Sequence, residues 1–423
     1  MINLDRDERA MLDGQRGKAV QEAMSIIVQM ADATGASELV AVEQAHIDAC
    51  ALMAPSNLDF VSWIVEQGGR TAVPTTLNMV SLDLDHWRDL GVPPTFSEQA
   101  TRIAGKYLAL GCVPTWTCAP YQGYLTPRFG QQIAWGESNA IAYANSVLGA
   151  RTNRYADYMD VCAAITGRVP YTGLHRSENR RGQVLVRLPA FNAAQWSSPA
   201  SWAALGHLIG QQLGSRIPVI EGLPAAASTD QLKALGAAAA SAGAIALFHA
   251  VAITPEAPDL PTAFLGGAPS ETLDVSSAML DRAWEEMSQA ENGDPVDSII
   301  LGCPHFSYDE FRALAEAIEA TPGRVHENVQ LLVLTSSASF ALAQRGGLIE
   351  PIRRFGATIA FDTCPFHSPI IPENASVVMT NSGKAAYYSP GELGVRVAFA
   401  PLDQCVRSAV SGRVRMEGTP WEA

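Results

Sequence analysis

The chain has 423 residues, of which 48% are hydrophobic, and its 43 acidic against 29 basic side chains give a formal charge of -14. This length is sufficient for a large core divided over two or three lobes. The negative charge argues against a nucleic-acid partner and against an anionic membrane surface, because both require a basic face. No run of about 20 apolar residues is present, and the charged start does not resemble a signal peptide. We therefore expect a cytoplasmic globular protein.

The first part of the sequence predicts short strands that are followed directly by polar residues. Apolar residues at helical spacing cover residues 5–34, and a short buried strand is expected at residues 39–42. His46 and Asp48 follow that strand, at a position where α/β proteins commonly bind ligands. A lone histidine after a strand is more often a hydrogen-bonded structural residue, so both interpretations of His46 stay open. The same pattern is expected further on, with a strand at residues 70–73 and a polar loop at residues 74–78.

Residues 138–148 contain no proline and no internal glycine, and they predict a helix. Ser138 and Asn145 are two helical turns apart, so their side chains share one face of this helix. Because the other positions are mostly Ala, Ile, Tyr and Val, we interpret that face as turned toward a site. A surface helix with a few polar residues is the alternative. Arg151, beyond the helix, adds a group that binds anions.

A basic segment follows at residues 175–181, which is unusual in an acidic chain. It contains His175, Arg176, Arg180 and Arg181. Guanidinium groups bind carboxylates through paired hydrogen bonds, so this segment is a candidate lid or carboxylate clamp. A solvated loop or a surface that faces a partner explains the same residues equally well.

The second half of the sequence alternates strands and helices. Strands are expected at residues 184–188, 217–220, 244–248, 298–301, 330–335 and 358–361, and helices at 201–213, 230–242, 279–290 and 308–320. This alternation indicates parallel sheets with helices on both faces, and therefore an α/β fold. We divide the chain into a catalytic region of residues 1–410, with lobes 1–180 and 181–410, and a tail of residues 411–423.

Three of the seven cysteines share a sequence context. Cys303 and Cys364 lie at predicted strand ends directly before a proline, and Cys118 is followed by a proline two residues on. Proline fixes the local backbone, so each thiol is expected in a rigid loop. Three thiolates can hold an iron-sulfur cluster and leave one iron free to act as a Lewis acid. The alternative is a buried free thiol, and we choose it for the remaining four cysteines: Cys50, Cys112, Cys162 and Cys405.

Several short strings occur in a fixed order along the sequence. They are Cys118-Ala119-Pro120-Tyr121, Trp135-Gly136-Glu137-Ser138, Asn145-Ser146 to Arg154, Thr254-Pro255-Glu256-Ala257, Gly302-Cys303-Pro304-His305 and Ser382-Gly383-Lys384-Ala385. Together these strings resemble the aconitase X family, a branch of the aconitase superfamily, and the similarity extends from His46 to Lys384. The resemblance implies a multi-lobed αβα architecture, with mostly parallel sheets flanked by helices.

The resemblance also implies an iron-sulfur-dependent dehydration of a small hydroxy acid, with Cys118, Cys303 and Cys364 as cluster ligands. Bacterial members act on cis-3-hydroxy-L-proline and archaeal members on phosphomevalonate. Arg151 or Lys384 is expected to hold the substrate carboxylate. Other substrate-binding candidates are Ser138, Asn145, Ser382 and His46.

Family members also have a small swivelling domain or subunit with a Ser-Phe-Trp-Gly-Gly stretch that supplies the catalytic serine base. That stretch is missing from this sequence. We therefore expect a large subunit that requires a small aconitase X subunit, with the base on that partner.

Three other functions stay open at this point. The same machinery could dehydrate phosphomevalonate, with residues 176–181 recruited for the phosphate. The chain could be a non-catalytic scaffold whose cysteines hold zinc or no metal. Hydrolysis by Cys118 would require a neighbouring histidine, for which the sequence has no local signature. Ser382-Gly383-Lys384 lacks the other residues of a phosphate-binding loop, so a nucleotide role is disfavoured.

Overall fold

The computed structural model describes residues 2–422. The chain forms two compact units, Met1–Arg181 and Gly182–Ala423. Each unit contains at least one parallel sheet flanked by helices, so the predicted α/β class is confirmed.

The first unit contains short strands and six of the α-helices that the structure describes. The helices are α1 (Arg6–Leu12), α2 (Lys18–Thr34), α3 (Pro55–Glu66), α4 (Pro94–Ala109), α5 (Ser138–Ser146) and α6 (Met159–Thr166). The strands are β1 (Leu39–Ala41), β2 (Ala45–Ile47), β3 (Thr75–Leu77), β4 (Ala134–Trp135) and β5 (Arg168–Pro170). Strands β3, β2 and β4 form a parallel sheet in that order, and β1 pairs with β5 antiparallel.

Two predicted features of the first unit need correction. The strand expected at residues 39–42 is present as β1, but His46 lies inside a separate strand, β2, which pairs with β3 and β4. Similarly, the strand expected at residues 70–73 lies at Thr75–Leu77, so Asn78 follows the strand directly. In both places short strands are set by pairing partners distant in sequence, which local propensity does not report.

The second unit contains two larger sheets. Its strands are β6 (Val184–Arg187), β7 (Pro218–Glu221), β8 (His249–Ala250), β9 (Glu271–Asp274), β10 (Ser298–Phe306), β11 (Gln330–Thr335), β12 (Thr358–Phe361), β13 (Val377–Thr380) and β14 (Arg396–Phe399). Its helices are α7 (Pro199–Leu213), α8 (Thr229–Ala242), α9 (Leu260–Ala263), α10 (Ser277–Glu286), α11 (Tyr308–Glu319), α12 (Ser337–Arg345), α13 (Ile349–Phe355), α14 (Gly383–Leu393) and α15 (Leu402–Ser411).

All strand pairs of these two sheets are parallel. The strand orders are β8-β7-β6-β9 and β12-β11-β10-β13-β14. Buried aliphatic residues such as Ile299, Leu301 and Val333 form the core of the five-stranded sheet. Runs of apolar residues without alternation are expected for strands covered on both faces.

Helices α7 and α8 are packed at unusually short range. A side-chain carbon at Gly210 would lie 2.8 Å from the carbonyl oxygen of Ala239, and one at Gly206 would collide with the carbonyl oxygen of Leu235. The start of α14 rests on the same pair, because a side-chain carbon at Gly383 would lie 3.0 Å from the Cβ atom of Ala238. Small residues therefore fix the position at which α14 begins.

Candidate active site

In the first unit, polar side chains gather at the carboxyl end of the three-stranded sheet. Asp48 follows β2, Asn78 follows β3, and Glu137 follows β4 by two residues. Parallel strands end at the same edge of a sheet, and the Nδ2 group of Asn78 donates a hydrogen bond to Oδ1 of Asp48. The edge is therefore rich in carboxylates, and only Asp48 among the residues named here keeps a partly exposed side chain.

Asp160, near the start of α6, completes this group. Its Oδ2 atom accepts hydrogen bonds from the backbone N–H groups of Asp48 at 2.6 Å and Ala49 at 3.3 Å. Its Oδ1 atom accepts one from the backbone N–H of Val161 at 2.7 Å. The carboxylate is fully buried, so these donors replace the water that it loses. Asp160 thereby holds the backbone of Asp48 in place.

Burial, and repulsion between neighbouring carboxylates, keep one carboxyl group of this edge protonated. Burial, together with the neighbouring carboxylates of Glu137, Asp157 and Asp160, raises the pKa of Asp48 to about 8. Burial also raises the pKa of Asp160 to about 7, although the backbone N–H donors that it accepts from lower it. Because those donors favour the charged form of Asp160, the proton at neutral pH belongs on Asp48. A carboxylic acid that is protonated at neutral pH is suited to general acid or base work.

Glu137 links the start of α5 to the Cys118 segment. Its Oε2 atom caps the helix by accepting from the backbone N–H of Ala140 at 2.8 Å. The side chain of Asn139 donates both to Glu137 and, at 2.9 Å, to the carbonyl oxygen of Cys118. Ser138 is partly exposed beside Glu137, to which its hydroxyl donates at 3.2 Å.

Asn145 is fully buried and joins the end of α5 to the following loop. Its Oδ1 atom accepts from the backbone N–H of Thr152 at 3.0 Å and from Nη1 of Arg180 at 3.1 Å, while its Nδ2 group donates to the carbonyl oxygen of Thr152 at 2.9 Å. Ser138 and Asn145 lie on the predicted helix but differ in exposure. These contacts give Asn145 a role in holding the fold, and its predicted contact with substrate stays a prediction.

The basic segment is not a uniform lid. Arg180 is 2% exposed and donates to the carbonyl oxygens of Asn145 and Leu174, so the lid interpretation is wrong for this residue. Arg151 is partly exposed and donates to the hydroxyl of Ser177 at 2.6 Å. The sequence shows which residues of this segment are basic, but it does not show which arginine is buried.

His46 has the contacts of a structural residue. It is fully buried, and its Nδ1 atom lies 2.9 Å from the hydroxyl oxygen of Thr76 on the neighbouring strand. Burial lowers the pKa of His46 to about 3, so the ring is neutral. The structure therefore favours the structural interpretation of this histidine.

In the second unit, the carboxyl end of the five-stranded sheet carries different chemistry. Cys364 follows β12. Ser382, two residues after β13, caps α14 by accepting from the backbone N–H of Ala385 at 3.1 Å. The Ser382 hydroxyl also donates to the carbonyl oxygen of Cys303. Lys384 lies in the first turn of α14, where backbone N–H groups and the helix dipole attract anions.

The loop expected around Cys303 needs correction. Cys303 lies within β10, which extends to Phe306, and the pairing of β10 with β11 shifts register between Leu301 and Phe306. The peptide bond between Cys303 and Pro304 is cis. An irregular strand therefore carries the thiol, at the same edge of the sheet where a loop was expected.

The seven cysteines separate into two groups by burial. Cys118, Cys303 and Cys364 are partly exposed, and the other four are buried. Burial raises the pKa of Cys112 and of Cys162 to about 12, and it raises the pKa of Cys50 and Cys405 strongly. A cysteine must be deprotonated to bind a metal, so the four buried cysteines are poor ligands. The three partly exposed thiols fit a cluster best. Among residues 2–422, neither unit by itself places three Cys, His, Asp or Glu side chains ready to hold a metal.

Sequence reasoning missed a buried ionic cluster beside Cys303. Lys233 on α8 lies 3.1 Å from Asp230 and forms a second ion pair with Glu310 on α11. Burial alone would lower the pKa of Lys233, but the two carboxylates raise it. Lys233 and Glu310 line a cavity of about 30 Å³ that also touches Cys303 and Ser382. The pattern Ser307 to Glu310, a helix capping box, was the available signal for this part of the site.

Parallel sheets with carboxyl groups at one edge and partly exposed thiols at another are an arrangement typical of α/β enzymes. Family models described as Aconitase X first, second and third domain match residues 1–178, 182–285 and 296–411. Together they cover most of the sequence.

Similar proteins agree with this match. The cis-3-hydroxy-L-proline dehydratase of Pseudomonas aeruginosa is 42% identical over 97% of this chain and 70% of its own length. The phosphomevalonate dehydratase large subunit of Methanothermobacter thermautotrophicus is 35% identical over 94% of this chain and 96% of its own length. The crystal structure of Thermococcus kodakaraensis aconitase X in its holo-form has a TM-score of 0.84 and 32% identity, covering 96% of this chain and 100% of that one.

The chain belongs to the aconitase X family. Its relatives are named dehydratases, and it is a hydro-lyase of that family. The family resemblance derived from the sequence is confirmed, and so is the dehydratase class.

Proposed function

We propose that this chain is the large, catalytic chain of a cis-3-hydroxy-L-proline dehydratase that forms Δ1-pyrroline-2-carboxylate. The observation that carries the choice of substrate is the 42% identity with cis-3-hydroxy-L-proline dehydratases over 97% of the chain, against 35% or less with the phosphomevalonate enzymes. In this reaction C2 loses a proton and C3 loses its hydroxyl group as water. The resulting enamine takes up a proton at C3 and loses one at nitrogen to become the imine.

The cofactor in this proposal is an iron-sulfur cluster held by Cys118, Cys303 and Cys364. The support is their partial exposure, which contrasts with the buried, protonated thiols of the other four cysteines. When bound, such a cluster supplies a Lewis acid for the departing hydroxyl group. The chain belongs to a superfamily in which clusters are expected, and a holo-form is known for a structural relative.

The roles of the chain's own side chains follow from the two sheet edges. Lys384 and the first turn of α14 bind the substrate carboxylate, because both present positive charge or N–H donors at one place. Asp48 holds a proton on a carboxyl oxygen and exchanges it with the substrate, and Asn78 orients that carboxyl group. Ser138 and Arg151 are further substrate-binding candidates, since both are partly exposed. Asn145, Ser382 and His46 support the fold around these groups.

The partner in this proposal is a small aconitase X subunit that brings the catalytic base for C2. The term large subunit in the names of the archaeal relatives implies such a partner in the family. No helix among residues 2–422 is long and apolar enough to span a membrane. A cytoplasmic location stays a prediction.

The test is anaerobic purification of the chain together with the small chain encoded nearest to it. Iron and sulfide are measured, and product formation from cis-3-hydroxy-L-proline is assayed. Cys118→Ser, Cys303→Ser and Cys364→Ser should each lose iron and activity, whereas Cys405→Ser, a buried control, should keep both. A complex that holds its fold, contains no iron and is indifferent to the three substitutions would exclude the cluster and the assignment.

Phosphomevalonate is the second candidate substrate, favoured by one observation. The chain covers 96–99% of the length of the phosphomevalonate dehydratase large subunits, against about 70% of the hydroxyproline enzymes. The same purified complex decides between the two. An iron-containing complex that is inactive on cis-3-hydroxy-L-proline and active on phosphomevalonate would reverse the choice of substrate and keep the cluster.

A further inference from the structure

His305 joins two segments of the second unit that are far apart in sequence. Its Nε2 atom donates a hydrogen bond of 2.9 Å to the carbonyl oxygen of Thr363. His305 lies two residues after Cys303, and Thr363 lies directly before Cys364. The bond therefore connects the two thiol-bearing segments by a single side chain. His305 is 2% exposed and Thr363 is fully buried, so water cannot easily replace this bond.

The backbone of His305 is held from the opposite side by the ionic cluster on α8 and α11. Nζ of Lys233 donates to the carbonyl oxygen of His305 at 3.3 Å while it pairs with Asp230 and Glu310. Glu310 in turn accepts from the backbone N–H of Ser307 at 2.8 Å. Buried Lys233 and the two carboxylates that it pairs with thus converge on the segment that directly follows Cys303.

We infer that His305 is a positioning residue that sets the spacing between the Cys303 and Cys364 segments, with Lys233 anchoring its backbone. The ring reaches across the edge of the sheet, and the irregular end of β10 needs this support because it has lost regular pairing with β11 there. A buried carbonyl that loses its donor is destabilised, so the Thr363 segment would move to find another partner. The identity of the group that the two thiols bind rests on the proposed function. The spacing between the Cys303 and Cys364 segments does not.

We predict that the reactivity of the Cys364 thiol depends on an N–H donor at the position of the Nε2 atom of His305. His305→Leu removes the donor, His305→Asn places an amide too short to reach Thr363, and His305→Gln restores an N–H group at nearly the same distance. The full chain is stripped of iron with a chelator, and alkylation of Cys118, Cys303 and Cys364 is followed by peptide mass spectrometry. Cys118, which lies in the other unit, is the internal reference.

We expect the alkylation rate of Cys364 to rise at least fivefold in the Leu and Asn variants and to stay within twofold of the native rate in the Gln variant. The Cys118 rate should not change in any of them. Equal Cys364 rates in all variants would overturn the inference, and a parallel rise at Cys118 would also overturn it by indicating general loosening of the fold. The Asn variant keeps the test decisive if the Leu variant does not fold.

Iron content of the same variants, purified without chelator and with the small chain, gives a second readout. We expect the Leu and Asn variants to hold less than half of the native iron, with near-native content in the Gln variant. His207→Gln is the control, because His207 is also buried in this unit but pairs with Glu286 instead. An absence of iron in the native complex would contradict the proposed cofactor and leave the alkylation result to decide the role of His305.

Discussion

The two sheet edges that carry polar groups differ in their charge. The edge of β3-β2-β4 is lined by the carboxyl groups of Asp48, Glu137 and Asp160, and burial raises the pKa of two of them toward neutrality. The edge of the five-stranded sheet presents Lys384, a helix N-terminus and two partly exposed thiols. One topological device, the carboxyl end of a parallel sheet, thus supports two kinds of chemistry. The first edge suits proton exchange, and the second suits the binding of anions and metal.

The largest expected effect is loss of proton exchange at the first edge. Asp48→Asn keeps the hydrogen bond with Asn78 possible but removes the exchangeable carboxyl proton. We expect kcat on the preferred substrate to fall by about 10²–10⁴-fold, the usual contribution of a general acid or base. Asp59→Asn, at an exposed position of α3, is the matched control and should leave kcat unchanged. Steady-state kinetics of the loaded complex measure both, and a fall of less than threefold for Asp48→Asn would remove Asp48 from the mechanism.

The next effect tests anion binding at the second edge. Lys384→Ala should raise KM by about 10–100-fold, because a charge-assisted hydrogen bond contributes roughly 1.5–3 kcal/mol. Lys384→Arg should recover part of the loss, and Lys106→Ala on α4 serves as a control for lost surface charge. Steady-state kinetics with varied substrate provide KM. An unchanged KM with a large fall in kcat would assign Lys384 to the chemical step instead of to binding.

A smaller effect separates support of the fold from contact with substrate. Asn145→Ala removes partners of Arg180 and Thr152 in a fully buried network. We expect a loss of about 2 kcal/mol in the stability of the first unit, seen as a thermal transition about 4–8 °C lower. KM should stay within twofold. If KM rose tenfold at native stability, the substrate-binding prediction for Asn145 would be correct and its structural assignment wrong.

The smallest effect, taken per pH unit, is a difference in the pH dependence of stability. The pKa of Asp48 is raised in the folded state to about 8, from an ordinary value of 3.8. Between about pH 4 and pH 8 the folded chain keeps a proton that the unfolded chain releases. The free energy of unfolding therefore falls as pH rises through this range. Asp48→Asn cannot release a proton, so its free energy of unfolding should fall less steeply with pH. A difference of one proton corresponds to a slope of about 1.4 kcal/mol per pH unit.

Denaturant unfolding of Asp48→Asn and of the native chain at several pH values measures these slopes. Asp59→Asn should follow the native chain, because Asp59 is exposed on α3. Parallel curves for Asp48→Asn and the native protein would mean that Asp48 is ionised in the folded state.

Most of the second unit could be predicted from the sequence, because its strands and helices are long and locally consistent. Strands β11 and β12 have the predicted bounds, and α7, α8 and α11 lie within two residues of the predicted ends. The strand expected at residues 244–248 is instead β8 at His249–Ala250, next to β7. Short strands depend on their neighbours in the sheet, and that information is not local.

The first site was only partly predictable. Asp48 was named because it follows an apolar segment, but its partner Asp160 is 112 residues further along the chain. No pattern in the sequence joins residues at that separation. The burial of Asn145 and Arg180 was also beyond reach, since a polar residue on a small-residue helix fits a site and a buried anchor equally well. Chemical type could be read from the sequence, and exposure could not.

The small residues at which α7, α8 and the start of α14 meet have a consequence for protein engineering. A side-chain carbon at Gly383 would lie 3.0 Å from the Cβ atom of Ala238 and 3.1 Å from that of Ala203, so the backbone separation there depends on the absence of a side chain. A random mutagenesis library that enlarges any of these residues would displace the start of α14 from a distance, although none of the three carries a reactive group. Variants at these positions would lose activity as if a catalytic residue had been replaced. A library designed to change substrate preference should therefore keep these three residues constant and vary the residues around Lys384.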